Sequence, residues 1–161
     1  MSDLSRGVGR LGRIGLAALL VLLMAGCSSL LPPRRVKASA YQPLPSGIML
    51  VHKQNFGPNG AGREVDTLYL VLRVLGAANG QAALDRVRQH FQDRTTGLHP
   101  WRFLSVEGYT GKGEKGFSSV TIGLLSQYLA DDRSLDLGIL STLQTVARRE
   151  PGELVLVELD P

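Results

Sequence analysis

Apolar residues along this chain recur in two rhythms, and the switches between them mark out the elements. Ile48-Met49-Leu50-Val51 is a short apolar run suited to a strand. From Val65 to Leu75 the alternation has a period of two, with Leu68, Leu70, Leu72 and Val74 on one face and Tyr69, Val71 and Arg73 on the other. The nearly continuous apolar character there predicts a central strand covered on both faces. Gly76 to Gly80 breaks it. Gln81 to Arg94 then changes to helical spacing through Leu84, Val87 and Phe91, and Gly97 stands where helix ends favour a left-handed residue. Trp101 to Tyr109 alternates again and predicts a strand. A glycine-rich loop from Gly108 to Gly116 and a strand from Phe117 to Leu125 follow. Ser134 is placed to cap a helix, whose apolar stripe is Ile139, Leu140, Leu143, Val146 and Ala147. Pro151-Gly152 stops that helix, and Leu154 to Leu159 is a last strand.

From Val65 onward the predicted order is strand, helix, strand, strand, helix, strand. That order implies an α+β class with a ferredoxin-like βαββαβ sandwich. Its antiparallel sheet would carry two helices on one face, with Ile48 to Val51 as an extra N-terminal strand. Two ββα units plus a closing strand would fit the same order with a different strand arrangement. Residues 47–161 suit one small α+β domain, long enough to bury a core without disulfides.

The chain ahead of that domain has another character. Arg6, Arg10 and Arg13 precede an apolar run from Ile14 to Leu23 about half as long as the ~20 residues a membrane span needs. The run ends in Leu22-Leu23-Met24-Ala25-Gly26-Cys27, and Cys27 is the only cysteine. These residues resemble a bacterial lipoprotein signal peptide with its lipobox, Met24 standing where the usual pattern has Leu. The resemblance implies removal of residues 1–26, palmitate-type lipid on Cys27, and a protein anchored in the cell membrane facing outside the cytoplasm. In a cell with two membranes the outer one is open to it. Lipid on Cys27 would leave no thiol for disulfides, nucleophilic catalysis or metal binding. Residues 27–46, with Pro32, Pro33, Pro43 and Pro45, read as a semi-rigid tether, and Arg34, Arg35 and Lys37 give it positive charge near the anchor.

Charge changes the picture little. The formal net charge is +4, and the signal segment holds Asp3 against three arginines, leaving about +2. No basic stripe is interleaved with aromatics, so nucleic acid is not an expected partner. The loop Gly111-Lys112-Gly113-Glu114-Lys115-Gly116 lacks the lysine register of a phosphate loop and joins two strands. His52, His90 and His99 are too far apart in sequence for a helical metal pair. Asp131, Asp132 and Asp136 lack calcium-loop spacing and suit helix capping. No nucleophile-elbow or Ser-X-X-Lys pattern occurs. The expected sites are therefore Cys27 for lipidation and a partner or ligand surface of Tyr109, Lys112, Phe117 and Phe56, with no catalytic residue, metal or cofactor. Trp101 and Tyr128 lie in the same aromatic neighbourhood. The expected function is a non-enzymatic binding or accessory module. Its partners would be the membrane, through Cys27, and an envelope protein or cell-wall polymer. A small-molecule sensor domain and a cell-wall hydrolase are the alternatives.

Overall fold

Two strands, Val65–Val74 and Val155–Asp160, carry apolar side chains on both faces, and both faces are covered. In the computed structural model, which describes residues 34–57, 65–114 and 116–161, the elements run as follows. Arg34–Arg35 is β1, Ile48–Phe56 is β2 and Val65–Val74 is β3; helix α1 is Gly80–Gln92. Then come β4 (Thr95–Phe103), β5 (Val106–Gly113) and β6 (Ser119–Leu124). The short helix α2 (Leu125–Ala130), helix α3 (Leu137–Arg149) and β7 (Val155–Asp160) complete the order. The sheet order is β2-β3-β7-β6-β5-β4, antiparallel throughout, and β1 adds a short parallel pairing to the start of β3. The class is α+β, an antiparallel sheet with helices consistent with a ferredoxin-like type of fold, with three strands between α1 and α2 where two were expected. The signal segment and Cys27 lie outside the described residues, as do residues 58–62 of the turn or flexible loop that Phe56-Gly57-Pro58-Asn59-Gly60-Ala61-Gly62 predicts.

The expectation of two helices on one face is corrected. Helix α1 lays Leu84, Val87 and Phe91 on one side, against Leu70, Leu72, Ile122 and Val157. Helices α2 and α3 lay Leu125, Tyr128, Ile139 and Leu143 on the other, against Val71, Val106 and Leu156. Val71 and Leu156 are fully buried. Helices on one face alone would have left both in water, at roughly 1.5–3 kcal/mol each. The strand positions follow from the same demand: β7, apolar on both sides, lies between β3 and β6, with Leu159 paired to Leu68 and Val120.

The expected strand Trp101–Tyr109 is two strands, and the expected loop from Gly108 is mostly β5. The chain turns at Leu104-Ser105, where Leu104 has φ 53°, a conformation that usually falls to Gly or Asn in a two-residue hairpin. The support is remote. The Asp131 carboxylate accepts from the Ser105 amide at 3.4 Å and from its hydroxyl at 3.2 Å. Gly108 belongs in the sheet because a side chain there would run into the Ile122 carbonyl oxygen.

Two further expectations shift. Asp136, not Ser134, caps α3, accepting from the Gly138 amide at 2.9 Å. The tether expected to reach residue 46 is part of the domain from Arg34 on. Ala40 and Tyr41 are 2% exposed and join the core beneath α1, and the Tyr41 carbonyl lies 2.8 Å from His90 Nε2. No described helix is long and apolar enough to cross a membrane.

Candidate binding cleft

The β4–β5 hairpin and the start of α1 enclose a hollow. Asn79 caps α1 by accepting from the Ala82 amide at 2.9 Å, which sets Gln81 in the first turn above the sheet. Tyr109 rises from β5 to meet it. The Tyr109 hydroxyl donates to Asp85 at 3.0 Å, and Gln81 Nε2 donates to the same carboxylate at 3.2 Å and to the hydroxyl at 3.4 Å. The Arg88 guanidinium lies 4.7 Å from the centre of the Tyr109 ring, a cation–π contact that holds the ring.

Sheet register brings the other groups together. Pro100 lies opposite Tyr109, and Arg102 lies opposite Glu107, all on the α1 side. Arg102 and Glu107 form an ion pair at 3.3 Å, with both side chains well exposed. Such a pair contributes about 0–1 kcal/mol and is open to exchange with a ligand. From α2, Gln127 Oε1 accepts from the Glu107 amide at 2.9 Å. Trp101, between Pro100 and Arg102 on β4, borders the cleft but turns its ring to the opposite face, stacked on Phe103 at 6.3 Å and on Tyr128 at 6.5 Å. The cleft holds about 390 Å³ over Leu84 and Leu124, within the usual size of ligand sites.

The four surface residues expected from sequence do not share one surface. Tyr109 is in the cleft. Lys112 is exposed on the other face of β5. Phe117 is 6% exposed and meets Phe91 edge-on at 6.4 Å, so it is a core residue and offers no ring to a partner. Phe56 ends β2 at the far side of the sheet, beside Gly138 of α3. Gln81, Pro100, Arg102, Glu107 and Gln127 were not expected. Pro100, Arg102 and Glu107 become legible once the turn is set at Leu104-Ser105, because register then puts them beside Tyr109.

A second polar group sits on the α2 side of the sheet. Glu158 of β7 lies half-buried between Tyr69 and Thr121 in register. Burial, and then the Asp160 carboxylate, push its carboxyl up to about 7. The Tyr128 hydroxyl beside it is buried without a partner in hydrogen-bond geometry, and burial, followed by the Glu158 charge, raises its pKa as well. Asp160 is held by the hydroxyls of Thr67 and Ser119, each at 2.7 Å. Burial, and secondarily Arg94, lower the His90 pKa. Burial pushes the Asp131 carboxyl up, but hydrogen bonds from Arg133 and Ser105 outweigh it and hold the carboxyl low. Among the described residues no group of three acidic, His or Cys side chains is placed to hold a metal.

Comparison with family models, with curated proteins and with solved structures finds no match for this chain.

Proposed function

We propose that this chain is an exported, lipid-anchored envelope protein whose domain works as a binding module through the cleft between α1 and the β4–β5 hairpin. The address rests on the basic start, the apolar run and the lone Cys27. The binding role rests on the cleft itself. It gathers exposed polar groups and the Tyr109 ring around a hollow, and its one ion pair adds little to stability. The chemistry on view is recognition: hydrogen-bond donors, acceptors and flat apolar faces, with Tyr109 fixed by Asp85 and Arg88.

The test uses the full-length chain in intact cells. A photo-reactive residue at position 107 reports what occupies the cleft, and labelled palmitate reports the anchor. The expected result is label on the wild type, none on Cys27→Ser, and a reproducible cross-link at 107 that weakens when the anchor is lost. Palmitate label that survives Cys27→Ser would reject the anchor. No cross-link above that from an exposed control position, such as Lys112, would reject the cleft as the working surface.

A further inference from the structure

We infer that the cleft takes a neutral, polyhydroxylated ligand: a short saccharide segment, such as a stretch of cell-wall glycan. The inference rests on the binding-module reading and names its ligand.

Charge is the first argument. The charged residues lining the cleft are Arg102 and Glu107, and they are paired at 3.3 Å. An anion reaching Arg102 would meet Glu107, and a cation reaching Glu107 would meet Arg102. Neither sign gains a net field, whereas a neutral ligand is not penalised.

Hydrogen-bonding capacity is the second. Gln127 uses its Oε1 on the Glu107 amide, and its NH2 makes no hydrogen bond among the described residues. Gln81 uses its NH2 on Asp85 and Tyr109, and its Oε1 is likewise uncommitted among them. One amide thus offers donors and the other an acceptor, while Arg102 and Glu107 repeat the combination with planar groups. A sugar hydroxyl both donates and accepts, so this set matches it. Pro100, Leu84 and Leu124 supply apolar surface for the C–H faces of a sugar ring.

Exclusion of the obvious competitor is the third. An open edge strand invites a peptide strand to pair with it. On β4 that edge is interrupted by Pro100, which has no N–H, and by the register break between Thr96 and His99. These are features that blunt an edge against strand addition.

Isothermal titration calorimetry reads occupancy of the cleft directly. Full-length protein in detergent is titrated with chitotetraose, the β-1,4-linked tetramer of N-acetylglucosamine. The expected result is a saturable heat of binding below about 10 mM, a weak affinity for a small open site. Raising the salt from about 20 to 500 mM should leave it unchanged, because no net charge is recognised. Arg102→Ala and Glu107→Gln should each weaken it about tenfold, the loss of roughly one hydrogen bond to a charged group, with the urea midpoint unchanged. Lys112→Ala, on the other face of the sheet, should bind like the wild type. No saturable heat, or equal affinity in the Arg102 and Glu107 variants, would overturn the saccharide assignment. If position 107 still captured a protein in cells, the binding module would stand and only the ligand class would fall. If neither probe engaged the cleft, both readings would fall together.

Discussion

Glu158 has Tyr69 and Thr121 on either side and a buried tyrosine hydroxyl close by. Its carboxyl titrates at about 7 when folded, against an ordinary value of 4.5. The folded chain therefore holds this proton more tightly than the unfolded chain does. The resulting stability is complete below about pH 4.5 and is lost as pH rises through 7, by up to roughly 3 kcal/mol. Glu158→Gln should raise the melting temperature at pH 8 and flatten the fall in stability between pH 5 and 8. Thermal scans across that range measure it, and an unchanged slope would contradict the assignment. Asp131 works in the opposite sense: its lowered pKa makes its contribution present at neutral pH and lost as pH falls through the folded value. Phe117 and Lys112 also separate at this scale. Phe117→Ala should cost about 3–5 kcal/mol, and Lys112→Ala should stay within about 0.5 kcal/mol. Urea denaturation decides both, and equal midpoints would return Phe117 to the surface.

Among the elements, the segment from Arg34 to Ser46 departs most from its sequence pattern. Its prolines and small residues have no helical or strand period, yet Tyr41 is buried in the core. Periodicity reports elements that present a repeating face, and one anchoring side chain in an irregular stretch leaves no period to detect. A chain starting at Gly47 should accordingly be less stable than one starting at Arg34, by about 3 kcal/mol or more, the scale of losing one buried aromatic. Equal urea midpoints for the two chains would mean that the segment is only draped on the surface. The β4–β5 turn was hidden for a related reason. Its left-handed Leu104 is supported by Asp131, 26 residues beyond Ser105, whereas turn signals in a sequence are local. The helices α1 and α3 were legible because apolar spacing, a capping Asn or Asp and a stop signal agree within each of them.

For the whole molecule, the class and all but one strand of the succession were legible, and the apolar character of β3 already implied cover on two sides. Tyr69 and Val71 needed burial as much as Leu70 and Leu72 did, which conflicts with helices on one face only. The cleft was legible at Tyr109 alone, since its other groups converge through a register that depends on the remote Asp131. What β7 does for the sheet has a consequence in time. It follows every other described strand in the chain, and it alone joins the β2–β3 pair to β6, β5 and β4. Its pairings reach back about 90 residues, as from Leu159 to Leu68, and contacts of such long range close late. Until β7 emerges, the two halves of the sheet have no common strand, and β3 and β6 each keep an open edge. Completion of this domain is therefore gated by delivery of its C-terminal strand, and a chain still threading through a narrow export channel would remain pliable until that strand had passed.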